Sequence, residues 1–93
     1  MLLPESIASK NPNKRIKAIK QIVADGKTGA IGKLVSMAKE DPHRKVRQQA
    51  CWAIGELGTA AERPALEDVI ASDRNSKVKH EAEIALKKLA EKQ

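Results

Sequence analysis

Internal repetition at a spacing of 32 residues constrains this chain more than any other feature of its sequence. Acidic, small and apolar residues recur in phase at that offset, in the pairs Asp41 and Asp73, Val46 and Val78, Ala50 and Ala82, Ala53 and Ala85, and Leu57 and Leu89. Periods of about 20–50 residues are typical of repeat proteins, in which each copy buries its apolar face only by stacking on its neighbours. We therefore expect a solenoid.

Each copy has the pattern of a long helix followed by a shorter one. Val46, Ala50, Ile54 and Leu57 fall on one face of a helix with about 3.6 residues per turn. We expect Asp41 and Asp73 to cap the helices that follow them, and Gly58 to supply a left-handed residue after a helix end. Six helices are predicted, over residues 3–10, 14–25, 28–40, 42–57, 61–72 and 76–91.

Length and composition agree with a small all-α fold. The chain has 93 residues, 41% of them hydrophobic, and Trp52 is its only aromatic residue. A core of Ala, Ile, Leu and Val favours close-packed helices over a β-sandwich. The links between helices are short, so neighbouring helices should pack antiparallel. We expect one domain over 1–93, with repeats at about 11–40, 41–72 and 73–93 and a capping helix at 3–10.

The sequence also carries signals about location. No apolar run approaches the roughly 18 residues that a membrane span needs, and we expect no signal peptide. Cys51, the single cysteine, excludes an internal disulfide and fits a reducing cytosol. We expect a cytoplasmic protein.

The stretch from Asp41 to Gly58, read as Asp-Pro-x-x-x-Val-Arg-x-x-Ala-x-x-Ala-Ile-Gly-x-Leu-Gly, resembles a HEAT repeat. More narrowly it resembles the short-repeat, phycobilisome-lyase HEAT-like subtype. The resemblance implies a right-handed α-solenoid, with the first helix of each pair on the convex side and the second on the concave side. It also implies a ladder between repeats, which we map onto Asp41 with Arg47 and Asp73 with Lys79.

Members of that family are mostly protein-binding scaffolds, so the resemblance implies a protein partner bound by the concave surface of the third and fifth helices. We assign Lys33, Arg63 and Glu67 to that surface. Trp52 lies off the main apolar stripe, and it either packs across a neighbouring helix or anchors an interface at the edge. A weaker alternative is an accessory subunit of a lyase-type enzyme.

The chain is basic, with a formal net charge of +6, and all of this excess lies in residues 1–45. Lys10, Lys14, Lys17 and Lys20 have helical spacing and form one stripe, named here the lysine stripe. Such a stripe either keeps a helix face solvated or follows a phosphate backbone. Without interleaved aromatic residues, any nucleic-acid binding would be non-specific.

The residues do not favour catalysis, a cofactor or a metal. His80-Glu81 resembles the His-Glu motif of the di-iron deoxyhypusine hydroxylases, but the equivalent residues of the second copy are Gln48 and Gln49. One His and one Glu do not make a metal site. Cys51 has no histidine at helical spacing before it, so we expect no nucleophile there.

The two ends of a short solenoid need cover. Only Leu2, Leu3 and Ile7 are available at the start, and the last helix has no second helix behind it. We therefore predict weak homodimer formation through an end, by hydrophobic contact around Ile84 and Leu86.

Overall fold

A computed structural model describes residues 3–92. Its α-helices are α1 (Pro12–Ala24), α2 (Ile31–Glu40), α3 (Arg44–Leu57), α4 (Arg63–Ser72) and α5 (Ser76–Glu91). Single 3₁₀ turns precede α2 (Thr28–Ala30) and α4 (Ala60–Glu62), and another lies at Glu5–Ala8. The described residues contain no strand, so the all-α prediction is confirmed.

The five α-helices begin and end within three residues of the predicted bounds, but the first predicted helix, 3–10, is wrong. That segment forms only the 3₁₀ turn Glu5–Ala8, because Ser9 and Asn11 take up extended backbone before Pro12. Pro12 disfavours helical backbone in the residue before it. Ile7 still packs into the core and Leu3 packs against it, whereas Leu2 lies outside the described residues.

The helices form two layers, as a short helical solenoid does. In the three-helix layer, α3 packs between α1 and α5. The two-helix layer consists of α2 and α4, which pack against each other. In addition, α2 packs on α3 and α4 packs on α5 of the other layer. The Cα atoms extend over 30 × 28 × 15 Å, and the thin dimension fits two layers of helices about 8–10 Å apart.

The core lies between the layers and follows the repeat. Residues of low exposure occupy equivalent positions, as in Ala18, Ala50 and Ala82, in Ile22 and Ile54, and in Leu34 and Leu66. No polar or charged residue among 3–92 belongs to this buried core. Burial of these aliphatic side chains contributes roughly 1.5–3 kcal/mol for each of the larger ones.

The long helices are capped by other residues than the aspartates that the sequence predicts. Asn11, His43 and Asn75 are the N-caps of α1, α3 and α5, and each side chain accepts a backbone N–H two residues ahead. Asp41 and Asp73 each lie two residues before the N-cap of their helix. Their carboxylates accept the backbone N–H of His43 and of Asn75, both at 2.9 Å, and so hold the caps in place.

Two glycines end helices for different reasons. Gly26, after α1, has φ +62°, the left-handed conformation that the prediction gave to Gly58. Gly58, after α3, has φ −80°. It is needed because a Cβ there would lie 2.6 Å from the carbonyl oxygen of Ile54.

A third glycine sets how closely α3 and α5 pack. A Cβ on Gly55 would lie 3.0 Å from both the Cα and the Cβ of Ala85, which is tighter than ordinary contact. Both residues are buried. The two helices therefore approach each other through their backbones at this point.

We predict that Gly55→Ala destabilises the fold, whereas Gly32→Ala does not. Alanine gains up to about 1 kcal/mol over glycine in a helix, but overpacking at Gly55 costs roughly 1–3 kcal/mol. Gly32 lies in α2 with nothing within 4 Å of its added Cβ, so only the gain applies there. Urea denaturation of both variants checks this. Equal stability changes would mean that α3 and α5 are not in close contact at Gly55.

Candidate functional site

Two arginine–aspartate pairs join successive repeats along one edge. Arg15, in α1, donates from Nε and Nη2 to the carboxylate of Asp41, each at 2.8 Å. Arg47, in α3, binds Asp73 in the same way, at 2.8 Å from Nε and 3.4 Å from Nη2. Both pairs are largely shielded, since the two aspartate side chains are only 6% and 7% exposed. We call this arrangement the ladder.

Each ladder arginine also holds the start of its own repeat. The Nη1 group of Arg15 donates to the carbonyl of Ser9, and that of Arg47 to the carbonyl of Asp41, both at 2.9 Å. Ser9, Asp41 and Asp73 are equivalent positions, 32 residues apart. One guanidinium therefore binds two repeats at once.

The predicted partners within the ladder are wrong. The prediction paired Asp41 with Arg47 and Asp73 with Lys79, but each carboxylate binds the arginine of the preceding repeat. The reason is that the start of each long helix lies beside the first turn of the one before it, 26 residues back. Arg15 was missed, although its offset of 32 from Arg47 was a usable signal.

Lys79 occupies the arginine position of the third repeat and acts on Asp73 through its charge. Burial raises the pKa of Asp73, but the hydrogen bonds from Arg47 and from the Asn75 backbone, with the charges of Arg47 and Lys79, outweigh it. The net pKa lies below the usual 3.8. Asp73 is thus an anion at neutral pH.

The residues assigned to protein binding lie partly together. Lys33 is exposed on α2, and Arg63 and Glu67 are exposed on α4, so the two-helix layer displays all three. Lys39 of α2 and Asp68 of α4 form an ion pair across that layer, at 3.2 Å.

Beside this ion pair lies a groove of about 290 Å³ between the C-terminal ends of α2 and α4. Its lining combines small apolar and charged side chains, namely Ala38, Lys39, Asp68, Val69, Ser72 and Asp73. We name the exposed face of α2 and α4, with this groove, the α2–α4 surface. No pattern in the sequence predicts the groove, because α2 and α4 belong to different repeats.

Trp52 is not part of the α2–α4 surface. It lies on α3, in the other layer, where it is half-buried and packs against the core. Of its two predicted roles, the structure shows the packing.

The lysine stripe is exposed throughout. Lys14, Lys17 and Lys20 lie on α1, and Lys10 precedes the helix. Lys14 stands where α3 has Val46, which is fully buried. The same position is therefore core in one repeat and surface in another.

The remaining reactive side chains are not assembled into a site. Burial, with the negative charges of Asp73 and Glu81 adding to it and Arg47 opposing it, raises the pKa of Cys51 to about 12. The thiol is therefore protonated at neutral pH. His80 is exposed, and residues 3–92 contain no group of three His, Cys, Asp or Glu side chains able to hold a metal ion.

The predicted self-association through Ile84 and Leu86 stays a prediction. Ile84 is 37% exposed and Leu86 is half-buried against the core. Glu83 and Lys87 are exposed beside them, at the positions where α3 has buried Cys51 and Gly55. The apolar contact available at this end is correspondingly small.

Two stacked layers of helices, a 32-residue period and a ladder between copies define a short α-helical repeat protein. A family model described as HEAT repeats matches residues 1–87, and the chain belongs to the HEAT-repeat family. No helix within residues 3–92 is both long and apolar enough to cross a membrane.

Curated relatives of the chain are larger proteins. Epoxyqueuosine reductases of Bacillus cereus and Bacillus anthracis are each 30% identical to it over 91 residues. The match covers 98% of this chain but only 24% of theirs, so the chain spans about a quarter of their length. No solved structure matches the chain.

We predict that Asp73→Asn lowers the free energy of unfolding at pH 7 by about 1–2 kcal/mol, because Arg47 loses a charged partner. A carboxyl whose folded pKa is depressed stabilises the fold above its unfolded pKa, and this contribution is lost as the pH falls through the folded value. The difference from wild type should therefore shrink below about pH 4.

Urea denaturation of both proteins from neutral pH down to about pH 3 measures this. Asp68→Asn is the control, since Asp68 is an exposed carboxylate in a surface ion pair. Two variants with the same stability profile would show that the ladder contributes no more than a surface pair.

Proposed function

We propose that this protein is a non-catalytic interaction module that binds a partner protein through the α2–α4 surface. The groove between the C-terminal ends of α2 and α4 carries the proposal, since it combines an apolar floor with charged walls in one concave place. Buried apolar contact supplies affinity in such interfaces, and the charges around it select the partner.

The charges on this surface are of both signs. Lys33, Arg63 and Glu67 are exposed on the same two helices, outside the lining of the groove. At the groove, Lys39 and Asp68 form an ion pair whose members are 38% and 66% exposed. A surface pair of this kind contributes only about 0–1 kcal/mol to stability. Its two charges are therefore readily available to a partner.

Family membership supports an interaction role, and the regular 32-residue period supports the short-repeat, phycobilisome-lyase HEAT-like subtype. The curated relatives are reductases acting on epoxyqueuosine, and this chain matches about a quarter of each. As a weaker alternative, we propose that the chain serves as an accessory subunit of a lyase-type enzyme. A cytoplasmic location fits the single cysteine, which is free and buried.

We expect Lys33→Glu/Arg63→Glu to lose the partner, whereas Lys20→Glu/Lys87→Glu retains it. Both variants change the net charge equally, but Lys20 and Lys87 lie on α1 and α5, away from the α2–α4 surface. Affinity capture from native cytosol with and without nuclease treatment, followed by quantitative mass spectrometry, compares them. Proteins held equally by both variants would contradict this site, and proteins lost only on nuclease treatment would indicate nucleic acid.

A second candidate function is non-specific nucleic-acid binding through the lysine stripe. The observation favouring it is that Lys10, Lys14, Lys17 and Lys20 are exposed and that none forms an ion pair within residues 3–92. Phosphates bound by four lysines would release counterions, which makes the affinity depend steeply on salt.

For this candidate we expect a slope of about −3.6 in log affinity against log salt on duplex DNA. Lys14→Glu/Lys17→Glu should abolish binding without unfolding the protein, because both side chains are exposed. A titration with labelled duplex at several salt concentrations measures it. A slope near zero would leave the lysine stripe as a feature of solubility.

A further inference from the structure

A row of exposed cationic side chains follows the edge on which α1, α3 and α5 begin. Each member lies within three residues of an N-cap, and the row consists of Lys10, Lys14, Arg44, Lys45, Arg74 and Lys77. Within residues 3–92, none of the six takes part in an ion pair or a side-chain hydrogen bond. We name this row the basic edge.

The ladder places these side chains on one line. Asp41, just before α3, is bonded to Arg15 in α1, and Asp73, just before α5, is bonded to Arg47 in α3. The starts of the three helices are therefore neighbours. Packed helices lie about 8–10 Å apart, so the basic edge extends over roughly 16–20 Å.

These cations do not serve the stability of the helices. The start of a helix carries the positive end of its dipole, where acidic side chains stabilise and basic ones destabilise. None of α1, α3 and α5 has an acidic residue in its first turn. Asp41 and Asp73 are already bound to ladder arginines, and the exposed Glu40 lines one concavity with Arg74.

We propose that the basic edge binds the phosphate backbone of a nucleic-acid duplex. The segments that form it read Ser-Lys-Asn-Pro-Asn-Lys, Asp-Pro-His-Arg-Lys and Asp-Arg-Asn-Ser-Lys, with no aliphatic side chain beyond the prolines. A protein partner usually needs an apolar anchor, which is absent from these segments. A duplex instead offers a regular line of charge, and about 16–20 Å corresponds to five or six steps of about 3.4 Å.

The basic edge is a different set of residues from the lysine stripe. Its proposed role goes beyond the proposed protein binding and does not depend on it. Lys10 and Lys14 belong to both, but Lys17 and Lys20 continue along α1 away from the edge. Arg44, Lys45, Arg74 and Lys77 belong to the edge alone. Variants that remove cations from only one of the two sets therefore show which surface binds the duplex.

The experiment measures fluorescence anisotropy of a labelled random-sequence DNA duplex of about 20 base pairs, between about 50 and 200 mM salt. Six contacts predict a slope of about −5.4 for the unaltered protein. Arg44→Ala/Lys45→Ala and Arg74→Ala/Lys77→Ala should each make the slope shallower by about 1.8. Lys17→Ala/Lys20→Ala removes the same charge from the part of the lysine stripe outside the edge. It leaves the slope unchanged if the basic edge is the binding surface, and makes it shallower by about 1.8 if the lysine stripe is.

Three results would overturn the proposal. These are no duplex binding at the lowest salt, an equal loss for all three variants, and a larger loss for Lys17→Ala/Lys20→Ala. If poly-glutamate binds and is weakened by the same variants, while the duplex does not bind, a nucleic-acid partner is also rejected. The two edge variants should also keep or raise the Tm, since they remove cations from helix starts. A lowered Tm would show a structural role instead.

Discussion

The arrangement of the repeats depends on the ladder of arginine–aspartate pairs between them. Each guanidinium donates two N–H groups to the carboxylate of the next repeat and a third to a carbonyl at the start of its own repeat. Because the group is planar and rigid, these bonds fix both the separation and the rotation of neighbouring repeats. A lysine cannot make this fork, so Lys79 can act on Asp73 only through its charge.

With the stacking fixed, the outward faces of the first and last long helices differ from the middle one. Lys14 and Gln21 of α1 are exposed where α3 has buried Val46 and Ala53. Glu83 and Lys87 of α5 are likewise exposed where α3 has buried Cys51 and Gly55, and a repeat stacked there in the same register would bury both charges. Polar outer faces are how solenoid ends stay soluble. Part of the lysine stripe therefore has a structural explanation that requires no ligand.

The sequence predicted what depends on neighbours along the chain, namely the repeat, the α-helices and the apolar positions of the core. It failed where two repeats meet. The pattern pairs the ladder residues within one repeat and makes Asp41 and Asp73 caps, and it does not predict the groove between α2 and α4. Each of these depends on which residues the stacking brings side by side. The offset of 32 does show that Arg15 and Arg47 are equivalent residues, but this is visible only when one repeat is aligned with the next.

Stacking of the repeats explains how a short chain can display two different surfaces. Equivalent elements of successive repeats become neighbours, because stacking adds each copy beside the last. The starts of the long helices therefore bring their cations to one edge, although only Lys10 with Arg74 and Lys45 with Lys77 are equivalent, whereas α2 and α4 bring Lys39 and Asp68 together beside the groove. The two surfaces meet where Lys39, Asp73 and Arg74 line one shared concavity. The ladder pair Arg47 and Asp73 lines the same concavity, so the contact that joins two repeats also lies where the two surfaces meet.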